Sequence, residues 1–193
     1  MSQELVYTSA PQGIKPGSHG FCTVAYSQGM SANLIQQLES LSGYRHLYAP
    51  QDPNAALNPV AFSHLVFAVG GRRCHILSRI CDAGLDYSQR TNKLAHHVVL
   101  DAAEAPPAGP AWLLANNGFM RQKWNGEPAV LPSGPTIPSG TSPPRVCQAW
   151  QQVTGDAGWG GVLAETATGA ANRPVVLVYP PGTDMLALVV EAL

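Results

Sequence analysis

The stretch from Asp82 to Asp101 brings together Asp82, Asp86, Tyr87, Ser88, Arg90, Asn92, Lys93, His96 and His97, side chains able to bond, ionise or transfer protons. Only 12% of the 193 residues are charged, so this concentration stands out. The chemistry it suggests is proton transfer. One imidazole, oriented by Asp82, Asp86 or Asp101, could act as a general base. Ser88 or Cys81 would then be the nucleophile of a hydrolase or transferase. The plainer role for His96 and His97 is structural, because ring nitrogens in strands bond backbone and loop groups. In an extended strand the two rings point to opposite faces, one inward and one outward, and cannot meet at one centre. Binding is the role assigned to Arg79, Asp82, Tyr87, Arg90 and Asn92. Asp82, Arg90 and Asn92 are expected to organise their own loop, and Arg79 to pair with Asp82. Tyr44, Arg45 and His46 make a second polar, aromatic cluster, a candidate partner contact.

Several chemistries find no support in the spacing. There is no G-x-x-x-x-G-K-[ST], no G-x-G-x-x-G, no G-x-S-x-G and no H-E-x-x-H. Cys22, Cys74, Cys81 and Cys147 form no C-x-x-C pair, so they read as buried small hydrophobes rather than zinc ligands. A metal would also need His64 or His75. No metal and no cofactor is expected. Net charge is −1, which gives no basic stripe for nucleic acid. The apolar runs fall short of the ~20 residues of a membrane span. The N-terminus has neither the basic nor the apolar region of a signal peptide, and a cytoplasmic location is expected.

These residues need elements to hold them. Leu5–Thr8 and Phe21–Tyr26 read as strands, joined by a loop rich in Gly and Pro. Ser31 can cap a helix with Leu34, Ile35, Leu38 and Leu41 on one face and Gly43 as a left-handed terminator. Val60–Cys81 reads as a β-hairpin turning at Gly70-Gly71. Facing positions then sum to 141. Phe67, Cys74, Leu65, Ile76, Ala61 and Ile80 share the core face. His64, His75, Leu77 and Arg79 lie on the mixed one. Lys93–Leu100 reads as a further strand. Ala111–Ala115 is a short element. Asn125–Pro144 is a Pro/Gly/Ser-rich segment wrapping the surface. Arg145–Val153, opened by Ser142-Pro143-Pro144, and Trp159–Thr168 read as helices. Pro174–Tyr179 reads as a central, twice-covered strand. Thr183 would cap a last helix, with Asp184 suiting its dipole. That helical pattern still runs at Leu193, so the natural chain is expected to continue.

The expected fold is α+β or mixed α/β: a mixed β-sheet containing the Gly-Gly hairpin, flanked by a few helices and rich in loops. Residues 1–193 form one N-terminal domain, with the segment 125–144 inside it.

Four stretches carry a resemblance: Glu4–Ala25, Leu41-Ser-Gly-Tyr-Arg-His46, Ser78–Tyr87 and Asn92–Asp101. Together they resemble the N-terminal domain, second type, of bacterial GTPase-associated proteins, over roughly residues 3–115. The resemblance implies the front end of a large cytoplasmic bacterial protein in a conflict or signalling system, and the expected role there is that of a non-enzymatic interaction or regulatory domain. It implies two partners, a small Ras-like GTPase and the C-terminal domains of the same chain. It supplies no catalytic residues. A structural domain docked on that C-terminal part is the other reading.

Overall fold

The computed structural model describes residues 1–141, 143, 145–168, 174–180 and 182–193. In chain order the elements are β1 (Gln3–Ala10), β2 (Gly20–Ser27), α1 (Ala32–Leu41), β3 (Ala61–Val69), β4 (Arg72–Leu85) and β5 (Thr91–Asp101). They are followed by α2 (Trp112–Ala115), β6 (Ala129–Leu131), α3 (Gln148–Thr154), α4 (Gly158–Thr168) and α5 (Met185–Ala192). The six strands form one sheet in the order β3-β4-β5-β1-β2-β6. Every pairing is antiparallel except β2 with β6, which makes the sheet mixed and the fold mixed α+β.

The β3–β4 hairpin has the register that the glycines dictate: Phe67 opposite Cys74, Leu65 opposite Ile76, Ala61 opposite Ile80. Gly70 and Gly71 have φ of +57° and +79°, the left-handed pair that a tight hairpin turn needs. β4 and β5 continue further than expected and absorb most of the polar loop. β4 bulges between Asp82 and Leu85, where Gly84 has φ +73°. The true turn is only Asp86–Arg90.

Each face of the sheet is covered. On one face, Leu5, Cys74, Ile76 and Val99 pack under Leu34, Ile35 and Leu38 of α1 and under Met30. The Ser31 hydroxyl caps α1 by accepting from the Leu34 N–H. The helix ends at Ser42, and Gly43 does not take the left-handed conformation expected of it. On the other face, Leu77, Val98 and Leu100 pack against Leu113, Leu114 and Met120. Beside them lie Val6, Cys22, Val24, Ala25, Cys81 and Leu94. Three of the cysteines are buried, as small hydrophobes. The segment 125–144 contributes β6 and straps back to the N-terminus. There the Gly134 N–H donates to the Ser2 carbonyl and the Ser2 hydroxyl to that of Pro135.

Three expectations for the C-terminal part are corrected. Pro174–Tyr179 is not a central strand. It forms no strand and pairs with none in the sheet, with Val176 and Val178 84% and 95% exposed. An apolar run without alternation does not by itself specify a strand, and β5 and β1 already fill the middle of the sheet. The last helix is capped by Asp184, not Thr183, its carboxylate accepting from the Ala187 N–H. α3 starts at Gln148 rather than Arg145, which leaves Val146 outside it, and Val153 within it is exposed as well. Ser142 and Pro144, expected to open it, lie outside the described residues. Trp150 of α3, Leu163 of α4 and Leu188 of α5 form a separate small core, joined by the Trp150 indole N–H donating to the Leu188 carbonyl (2.7 Å).

Candidate functional site

His96 and His97 do point to opposite faces of β5. The expectation that one faces outward fails, because both faces are covered and both rings are fully buried. On the α2 face, His96 lies opposite Arg79 on β4 and beside Glu4 on β1. The Arg121 backbone N–H donates to His96 Nδ1 (3.0 Å). That nitrogen is therefore an acceptor, and Nε2 carries the hydrogen it donates to Glu4 Oε2 (2.8 Å). The Arg121 guanidinium forks onto the same carboxylate, Nε to Oε2 at 2.7 Å and Nη2 to Oε1 at 2.9 Å. Burial alone would raise the Glu4 carboxyl. The bonds from His96 and Arg121 outweigh it and hold the group at about 2. Burial pushes His96 down, against the pull of Glu4, and the ring is neutral.

On the α1 face, His97 bridges two hydroxyls. Ser42 donates its own hydrogen to the Leu38 carbonyl (2.9 Å), so it accepts from His97 Nε2–H (2.9 Å). Ser78 then donates to Nδ1 (2.7 Å). Burial drives His97 down to about 3. All four ring nitrogens of the pair are engaged inside the protein. A general-base role for either histidine finds no open nitrogen, and the ring bonds serve architecture.

The binding candidates divide by face. Arg79 lies on the α2 side and donates to Cys81 Sγ and to the Arg121 carbonyl. Asp82 lies opposite Lys93 on the α1 side, so the expected Arg79–Asp82 pair does not form. The partners of Asp82 come instead from the chain after α1. Asn58 Nδ2 donates to it at 3.0 Å, and His46 Nε2 lies 3.3 Å away. His46 Nε2 also lies 3.0 Å from the Asn92 carbonyl, and the Tyr44 ring stands edge-on to His46 at 4.8 Å. Tyr44, His46, Asp82 and Asn92 thus converge on one part of the surface, with Arg45 exposed beside them. The Asn92 side chain is itself buried. Its Oδ1 accepts from the Ser9 and Lys93 N–H groups and from the Thr8 hydroxyl.

The turn of the β4–β5 hairpin is organised by Asp86. Its Oδ1 accepts from the Arg90 and Ser88 N–H groups and the Ser88 hydroxyl, and its Oδ2 from Ser9. These bonds, that from the Arg90 N–H foremost, hold its carboxyl well below the usual carboxylate range. Arg90 reaches Ser88 Oγ through Nε (2.7 Å) and remains largely exposed, as does Tyr87. Gln89 at φ +62° closes the turn.

Glu4 and Arg121 were not singled out from sequence. A carboxylate leading directly into the apolar Leu5-Val6 is the available signal, since a charge carried into a buried strand needs bonded partners. Lys93 gains a packing role that only the fold reveals. Its ammonium lies 5.0 Å from the Phe21 ring and 5.6 Å from that of Tyr7, on the α1 face beside Asp82. Among the described residues no group of three His, Cys, Asp or Glu could hold a metal, and no helix is long and apolar enough to cross a membrane.

Comparison with curated proteins and with solved structures gives no match. A family model described as GTPase-associated protein 1, N-terminal domain type 2, matches residues 1–137. That span holds all six strands, α1 and α2, the Glu4–His96–Arg121 cluster and the surface around Asp82. The chain therefore belongs to the family of type 2 N-terminal domains of GTPase-associated protein 1.

Proposed function

We propose that the domain is a non-enzymatic interaction and regulatory module of a multidomain bacterial protein, acting in a cytoplasmic conflict or signalling system. Its partner is a small Ras-like GTPase. Family membership supports the association with a GTPase. The disposition of polar groups supports a docking role: the histidines are used internally, while Arg45, Tyr87 and Arg90 stand exposed on a firmly bonded surface. Tyr44, His46, Asp82 and Asn92 fix the shape of that surface, and Arg79 supports it from the other face of β4. Exposed Arg and Tyr side chains contribute binding energy out of proportion to their number.

Calorimetric titration of the protein with a purified Ras-like GTPase of the same organism, loaded with GDP or a non-hydrolysable GTP analogue, tests this. Binding in one nucleotide state is expected, weakened at least tenfold by Arg45→Glu combined with Arg90→Glu at unchanged melting temperature. No heat of binding in either state, or full affinity in the double variant, would refute it.

A further inference from the structure

We propose that the outer edge of β3 receives an extended peptide as a seventh strand, a peptide with apolar side chains toward one end and an acidic one near the other. Among the described residues no strand pairs with that edge. Natural edge strands are usually blunted by Lys, Pro, a bulge or shortness. β3 has none of these: it is nine residues, Ala-Phe-Ser-His-Leu-Val-Phe-Ala-Val, in unbroken register with β4. Val66 and Phe67 are 46% and 36% exposed.

A groove of about 840 Å³ adjoins the first half of this edge, on the α2 face. Phe62 and His64 line it together with Trp112, Met185, Leu186 and Val189. An added strand would direct every second side chain to this face. Those opposite Phe62 and His64 would enter the groove, while the backbone completes the hydrogen bonds of the edge. The other half of the strand supplies the charge. Ala68 lies opposite Arg73, which is exposed on the same face, and no ion pair to Arg73 forms among the described residues. Strands lie ~4.8 Å apart, so a Glu opposite Ala68 reaches over that small side chain to the guanidinium. The peptide thus has an acidic residue four and six positions away from two apolar ones. A second copy fits less well. Antiparallel pairing of β3 with itself about Leu65 would offer the groove only Val66 and Ala68.

Panning a random twelve-residue peptide display library on the intact protein tests this. Selected peptides are expected to show the acidic–apolar spacing, and to protect backbone amides of residues 61–69 from hydrogen exchange. Val66→Lys should abolish their binding and Arg73→Glu should weaken it at least tenfold. Both positions are exposed, and unchanged melting would show both variants folded. Failure to enrich any sequence overturns the proposal, as does protection elsewhere or binding indifferent to both variants. Concentration-dependent dimerisation of the free protein, lost in Val66→Lys, would assign the edge to a second copy instead.

Discussion

At the scale of the residue, burial separates what His96 and His97 could do from what they do. Each ring donates through Nε2 and accepts through Nδ1, so neither can take a second proton without losing a bond. His97→Ala leaves the Ser78 hydroxyl unpaired in the core, takes from Ser42 the hydrogen it accepts while its bond to the Leu38 carbonyl stays, and opens a cavity. We expect a loss of ~2–4 kcal/mol in urea unfolding, with affinity for the proposed GTPase partner unchanged in whatever remains folded. A full-strength fold with lost binding would overturn the structural role. The same burial predicts a pH dependence. His97 titrates near 6.5 when unfolded and at about 3 when folded. Below pH 6.5 the unfolded chain binds a proton that the native ring refuses. Stability is therefore complete above pH 6.5 and falls toward pH 3, by up to ~1.4 kcal/mol per pH unit for one such group. His96 acts in the same sense. Glu4, held at about 2 against an ordinary 4.5, adds its own loss below pH 4.5. The urea midpoint measured from pH 8 to 4 should fall, and His97→Gln should reduce the slope between pH 6.5 and 4.5. The opposite faces of the two rings were legible from strand periodicity. Their shared burial was not, because it depends on Arg121, 25 residues away, closing over one face.

At the scale of the element, legibility follows how local the determinant is. The β3–β4 register was readable because two adjacent glycines fix it. Gly71→Ala must hold φ at +79° with a Cβ present and should cost ~1–2 kcal/mol in thermal melting. A neutral outcome would mean the turn tolerates another geometry. The strap at Gly134 was not readable, because it depends on a contact over a hundred residues apart in sequence. A Cβ there would meet the Ser2 carbonyl carbon at 2.6 Å. Gly134→Ala should thus loosen β6 and the N-terminus together, seen as faster hydrogen exchange at both. Pro174–Tyr179 shows the converse: a local pattern without a free place in the sheet to receive it.

At the scale of the whole molecule, the mixed sheet and its flanking helices were legible from periodicity, while the strand order was not. The matched family span ends near the sheet, and α3–α5 carry a core of their own. Amides of β5, buried between β4 and β1, should exchange slowest in the protein, and those of α3–α5 faster. Equal protection throughout would mean the two cores unfold as one. The strand order also bears on how the protein is made. β1 leaves the ribosome well before β5, yet it lies inside the sheet, between β2 and β5. The β1–β2 hairpin must therefore wait with one side unsatisfied until Asp101 has been added. At roughly 5–20 residues per second that delay is several seconds to about fifteen. During that interval Glu4 has neither His96 nor Arg121, and a nascent chain stalled there would expose a sticky ribbon to chaperones.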